Sequence, residues 1–179
     1  CNIGKFVEPK LEPEIVLHFS STPKNDGKPE EILRCIDWIA HGIDIVQSHF
    51  SGWKFQSADT IANSGLHAKL ILGEPKEVSK LMPGVISDLE SFEITLSCNG
   101  NVLERGKGSN ALGSPIKAVA HLINVIAKHP NHSLLKSGEI VTTGTLTAAL
   151  PIHPGQSWTT NLNGIDLPGI SISFEINID

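Results

Sequence analysis

Val7-Glu8-Pro9-Lys10-Leu11-Glu12-Pro13-Glu14-Ile15-Val16-Leu17-His18-Phe19 is the stretch on which the fold turns. Pro13 excludes a helix interior, and the Ile15–Phe19 run that follows is mostly apolar. The segment reads as extended chain, with Pro13 placing it at a sheet edge or at the start of a strand. On an extended backbone residues i and i+2 share a face, so Glu12 and Glu14 project side by side. Adjacent carboxylates repel unless a proton or a cation lies between them. The pair is thus a candidate cradle for a hard cation such as Mg²⁺, which takes one or two carboxylates plus waters and substrate oxygens. A solvated strand face explains the same spacing.

Beyond this segment, Lys24–Lys28 reads as a surface turn and Pro29 as the first residue of a helix. Ile32, Leu33, Ile36, Ile39 and Ala40 supply its apolar face, and Gly42 its end. Ile43–Val46 reads as a buried strand and residues 49–65 as irregular, with a short helix over Ala58–Ala62. Leu66–Leu72 is a strand. Phe92–Cys98 and Val102–Arg105 form a hairpin about Asn99-Gly100-Asn101. After a Gly/Ser/Asn loop over 106–114, Ser114 caps a second helix that begins at Pro115, with Ala118, Val119, Leu122, Ile123 and Ile126 on one face. Glu139–Thr143, Gln156–Asn161 and Gly169–Phe174 are the last strands. Many short strands and two main helices without a βαβ rhythm make an α+β, strand-dominated sandwich or roll.

The 179 residues suit one domain, residues 1–179, large enough to bury a core. Mean hydropathy is +0.01 and no apolar run exceeds three residues, which leaves no transmembrane helix and no secretory signal. Fourteen Lys+Arg against 19 Asp+Glu give a net charge of −5, scattered along the chain, so nucleic acid is not an expected partner. Cys1, Cys35 and Cys98 are odd in number and widely spaced, the pattern of reduced thiols in a cytoplasmic protein. Exposed strand edges would admit a homo-oligomer.

Asp44 interrupts the apolar run Ile43-Asp44-Ile45-Val46, and buried acids are rare unless paired or metal-bound. Meeting Glu12 and Glu14, it would complete a three-carboxylate cation site with open positions for a chelating substrate. Capping of a nearby loop is the alternative. No HExxH motif supports zinc, and His129-Pro130-Asn131-His132 reads as a surface turn. His49 and His67 are site or core histidines. No GxSxG elbow is present, and Gly106-Lys107-Gly108-Ser109-Asn110 is not a phosphate-binding loop.

These residues also resemble the motifs of one family. Pro9-Lys10-Leu11-Glu12-Pro13-Glu14-Ile15 resembles the metal-binding strand of the fumarylacetoacetate hydrolase superfamily, in its 2-keto-4-pentenoate hydratase and 4-oxalocrotonate decarboxylase branch. Gly42–Ser48, Trp53-Lys54-Phe55 and Asp59–Ala62 resemble its next motifs. Gly108–Pro115, and Leu135–Val141 with Thr143–Thr147, are similar to its later ones. The resemblance implies a mixed β-roll like the C-terminal domain of that superfamily, with Mg²⁺ or Mn²⁺ held by Glu12, Glu14 and Asp44. Several members carry Glu in the third place, where Asp44 is one methylene shorter. It implies hydration of a 2-hydroxypenta-2,4-dienoate-like 2-oxo acid from aromatic-compound catabolism, through an enolate. Decarboxylation of a 4-oxalocrotonate-type acid, C–C hydrolysis of an acylpyruvate, and a non-catalytic binding or assembly role are the alternatives. Lys54 is the candidate second cation and His49 the candidate base. Gly144, Thr145 and Thr147 are the candidate contacts to the substrate carboxylate. Members of the branch carry a helical segment ahead of the metal strand, and 1–179 is expected to lack it.

Overall fold

The computed structural model describes residues 1–24, 27–129 and 133–176. Asn25 and Asp26 of the expected turn, and Pro130–His132 of the histidine turn, lie outside the described residues. The decisive segment is β1 (Lys10–Phe19), which pairs antiparallel with β2 (Ile36–Val46) along its whole length. Its other side pairs with β7 (Ile140–Thr142) near one end and β8 (Leu150–Pro151) near the other. β3 (His67–Leu72) and β4 (Lys76–Glu77) flank β2 and complete a six-stranded sheet. A four-stranded sheet runs in the order β10 (Ser171–Ser173), β9 (Ser157–Asn163), β5 (Glu93–Cys98), β6 (Asn101–Lys107). Strands dominate, as expected, and the helices over Pro29–Leu33, Val85–Ser91 and Pro115–Lys128 contribute buried side chains to one of two apolar clusters.

Three expectations about β1 and β2 fail, each for a physical reason. The first helix, α1, covers only Pro29–Leu33, and Ile36–Gly42 belongs to β2. The apolar spacing fits a helix locally, but pairing with β1 across ten residue positions overrides it. Gly42 does not end a helix. It leaves room for Val16, whose Cγ2 would stand 2.6 Å from a Cβ at that position. Pro13 is not at an edge, since β1 is an interior strand. Its carbonyl accepts the Leu146 amide, on the side lying between β7 and β8. A residue's N and C=O point to the same side of an antiparallel strand, so the missing N–H falls in that gap and costs no ladder bond.

Beside α1 there are four further α-helices among the described residues: α2 (Ser57–Ala62), α3 (Val78–Leu81), α4 (Val85–Ser91) and α5 (Pro115–Lys128). Ser114 precedes α5 as expected, but its hydroxyl makes no cap bond and is buried without a partner. The hairpin turn is two residues long, Asn99-Gly100, both with positive φ (49° and 82°), which matches strand twist.

Leu11, Ile15, Leu17 and Phe19 of β1, with Ile39, Ile43 and Ile45 of β2, point inward and are fully buried. Each contributes about 2 kcal/mol of apolar burial. One cluster joins them to α1, α4 and α5 through Ile32, Leu89, Ile116 and Val119. The other joins them to the second sheet through Leu96, Trp158 and Phe174. His41 lies between Ile39 and Ile43 on this face, and so between the two clusters. Its Nδ1 donates to the Glu14 carbonyl at 2.9 Å, and its Nε2 accepts from the Thr160 hydroxyl at 2.9 Å. Thr160 in turn accepts the Ile170 amide at 2.8 Å. Burial holds His41 neutral, its pKa pushed down to about 4. Thr160→Val leaves the imidazole and an amide unpaired and should cost about 2 kcal/mol in thermal unfolding, whereas Thr160→Ser should cost far less.

Candidate metal centre

Register and pleat assemble the site. Glu12 stands directly opposite Asp44 across β1 and β2, and Glu14 opposite Gly42. All three acids are on the face turned away from the apolar clusters, by strict alternation along both strands. Their ligand oxygens lie within 4.8 Å of one another. The shorter Asp44 side chain therefore reaches the glutamates. Glu14 and Asp44 are buried and Glu12 is half-buried.

Two neighbours fix the carboxylates. The Gly144 amide donates to Glu14 Oε2 at 2.8 Å, from a backbone with φ +97° that favours glycine. His67 Nδ1 lies 2.7 Å from Asp44 Oδ1. It reaches Asp44 because the pairing of β2 with β3 shifts by one residue between Ile45 and Val46, the kind of irregularity that re-aims a side chain.

The electrostatics favour a cation. Burial, then the charges of Glu14 and Asp44, push Glu12 up to about 7, with Lys10 opposing them. Burial likewise raises Glu14 to about 7 against the stabilising Gly144 amide. Burial raises Asp44, and His67 counters it. Three hard oxygen donors that are costly to ionise together suit Mg²⁺ or Mn²⁺. Among the described residues this is the one cluster of three or more metal-ligating side chains within such reach.

The other expected site residues are placed less directly. The Gly144 amide is spent on Glu14. Thr145 donates its hydroxyl proton to the Thr147 carbonyl at 2.9 Å, and Thr147 donates to the Ala148 carbonyl at 3.1 Å. Binding a carboxylate there requires those bonds to be exchanged. His49 and Lys54 are exposed, and neither hydrogen-bonds to the triad. The reading from sequence had no role for Lys10, although it shares the Glu12 face by the same i, i+2 rule. Its Nζ sits 3.9 Å above the centre of the Trp53 ring.

Residues 4–167 match the fumarylacetoacetate (FAA) hydrolase C-terminal family. The chain belongs to that family. The 4-oxalocrotonate decarboxylase of Pseudomonas sp. (strain CF600) is 28% identical over 164 residues, covering 90% of this chain and 59% of that protein. The 2-keto-4-pentenoate hydratase of Paraburkholderia xenovorans (strain LB400) is 25% identical over 171 residues, covering 95% and 60%. The chain thus spans about 60% of the length of these curated relatives. The 4-oxalocrotonate decarboxylase from Pseudomonas putida G7, solved with magnesium and adipate, superposes with a TM-score of 0.84 at 24% identity, covering 97% of this chain and 63% of that one. That likeness establishes the fold of this FAA hydrolase C-terminal domain. Among the described residues no helix is long and apolar enough to cross a membrane.

Proposed function

We propose that residues 1–179 form the metal-binding domain of a divalent-metal-dependent lyase acting on a small 2-oxo acid, with hydration of a 2-hydroxypenta-2,4-dienoate-like substrate as its reaction. The observation that carries this reading is the convergence of Glu12, Glu14 and Asp44 within 4.8 Å on one sheet face. When bound, Mg²⁺ or Mn²⁺ supplies Lewis-acid stabilisation of negative charge developing on the substrate's 2-oxo oxygen. The three carboxylates hold the ion, Gly144 orients Glu14, and His67 orients Asp44. In this reading Lys54 orients the substrate carboxylate or relays a proton, and His49 acts as a base. Thr145 and Thr147, with the Gly144 backbone, border the substrate carboxylate.

Decarboxylation of a 4-oxalocrotonate-type acid is the second reading, supported by relatives of that name at 28% and 25% identity. It draws on the same stabilised charge, left when CO₂ departs. A role in aromatic-compound catabolism, a cytoplasmic setting and self-association through exposed strand edges belong to the same proposal. Incubation with Mg²⁺ and, in parallel, 2-hydroxypentadienoate, 4-oxalocrotonate and an acylpyruvate tests it. Conversion of the dienoate to the hydrated 2-oxo acid is expected. Turnover of the acylpyruvate alone would make the protein a C–C hydrolase and end the lyase reading, and binding of metal without turnover of any would favour a non-catalytic relative.

A further inference from the structure

The geometry points to His67 as the residue that sets the cation preference of the metal centre. It holds Asp44 to a single ligating oxygen, which favours a small six-coordinate ion over a larger one. The inference rests on the reading of Glu12, Glu14 and Asp44 as a divalent-metal site, and adds a residue that the three acids alone do not call for.

A carboxylate can offer a cation one oxygen or both. Ca²⁺ takes roughly six to eight oxygens at about 2.3–2.6 Å and readily accepts both from one carboxylate. Mg²⁺ demands a near-octahedral array at about 2.0–2.1 Å, which the short bite of a two-oxygen carboxylate fits poorly. At Asp44 one oxygen is already committed, since His67 Nδ1 lies 2.7 Å from Oδ1. An ionised carboxylate has no proton to give, so Nδ1 is the donor. Turning both oxygens to an ion would break that charge-assisted bond. The Asp44 side chain is only 11% exposed, so water is poorly placed to replace the donor.

A strained turn delivers His67 to this place. Ser64, Gly65 and Leu66 all have positive φ, 52°, 67° and 68°. Of the three, only the glycine adopts that conformation without steric cost. The turn is anchored at Leu66, whose side chain is buried and whose carbonyl accepts the Gln47 amide at 2.9 Å. Such strain persists where the surrounding structure holds it, and it collects at ligand sites. The register shift then sets His67 opposite Val46, which shares a strand face with Asp44. The ring therefore meets the carboxylate as a diagonal cross-strand neighbour.

The rest of the site agrees. Directly opposite Asp44 and Gly42 on β3 stand Leu70 and Leu72, which add no oxygen donor to the metal face. On the other side the Gly144 amide engages Glu14 Oε2 as His67 engages Asp44 Oδ1. Two of the three acids thus each have one oxygen tied to a protein donor. Single-oxygen ligation by all three leaves half of an octahedron open to waters or to a chelating acid, the pattern of Mg²⁺ rather than of Ca²⁺.

The test is calorimetric titration of the wild type, His67→Ala and His67→Asn with Mg²⁺ and with Ca²⁺ at pH 8. Removing the ring frees Asp44 Oδ1, so His67→Ala should shift the Mg²⁺/Ca²⁺ affinity ratio about tenfold toward Ca²⁺, the lower end of what partners behind metal ligands are worth. Asparagine carries its Nδ2 on the same carbon that bears Nδ1 in histidine, so His67→Asn should restore most of the wild-type ratio. Changes in folding or in local charge act on both divalent ions alike, and the ratio is insensitive to them. An unchanged ratio in His67→Ala, or an equal shift in His67→Asn, would overturn the role of His67 and leave the metal reading standing. If the wild type binds neither ion, the metal reading fails and this inference with it.

Discussion

Replacing Glu12 and Glu14 together with glutamine should abolish divalent-cation binding and, in the metal-free protein, raise stability above neutral pH. Loss of two of three charged ligands should weaken Mg²⁺ by more than about 100-fold, since even partners behind the ligands are worth about 10–100-fold. The gain in stability follows from linkage. Burial pushes both groups up to about 7 in the folded protein, from an ordinary value of 4.5. Between those values the folded state binds more protons than the unfolded chain, so stability falls as pH rises through that window. Glutamine keeps the shape and the Gly144 bond while removing the charge. At pH 8 the variant should be more stable by about 2–3 kcal/mol, after discounting for coupling and for solvent at Glu12. That is about 4–12 °C in Tm for a chain of this size. In the wild type the same ionisation should make Mg²⁺ binding strengthen as pH rises through about 7, with release of protons. Calorimetry in two buffers of different ionisation enthalpy, beside thermal melts, checks both signs.

Gly106→Ala should be the most damaging methyl addition near the site. Gly106 lies in β6 opposite Ile94, and a Cβ there would collide with the Leu146 carbonyl oxygen and press on Thr147. The obstacle is backbone and cannot swing aside. Leu146 is held on both sides, its amide on the Pro13 carbonyl and its carbonyl by Asn110 Nδ2 at 2.8 Å. Relief therefore moves the 144–147 segment, including the amide that orients Glu14. A loss of about 3 kcal/mol is expected, together with roughly tenfold weaker Mg²⁺ binding. Unchanged melting and unchanged Mg²⁺ affinity would show that this loop does not support the ligand.

Much of the site was legible because a strand's period of two is strict. Once Pro13 excluded a helix, Glu12 and Glu14 had to share a face, and an acid inside Ile43-Asp44-Ile45-Val46 had to find a partner. That the partner would stand opposite Glu12 was a matter of register, which depends on β1 meeting β2. The same long-range pairing turned Ile36–Gly42 from an apparent helix into a strand, since their spacing satisfies both periods over so short a run. Pro13 looked like an edge residue because the gap between β7 and β8 is set by residues more than a hundred positions away. His67 reaches Asp44 only through a local register shift, and its residue type carries no signal of that. Lys10 followed from the same alternation as the glutamates, but its place over Trp53 depends on how the 51–53 turn folds back onto the start of β1.

The central claim is that Glu12, Glu14 and Asp44 form a metal centre for a chelating acid. Calorimetric titration of the wild-type protein with Mg²⁺ at pH 8, with and without oxalate as a chelating mimic, tests it most directly. The expected result is one ion bound per chain, with oxalate binding only when Mg²⁺ is present. Absence of Mg²⁺ binding under both conditions, or oxalate binding that ignores the ion, would contradict it.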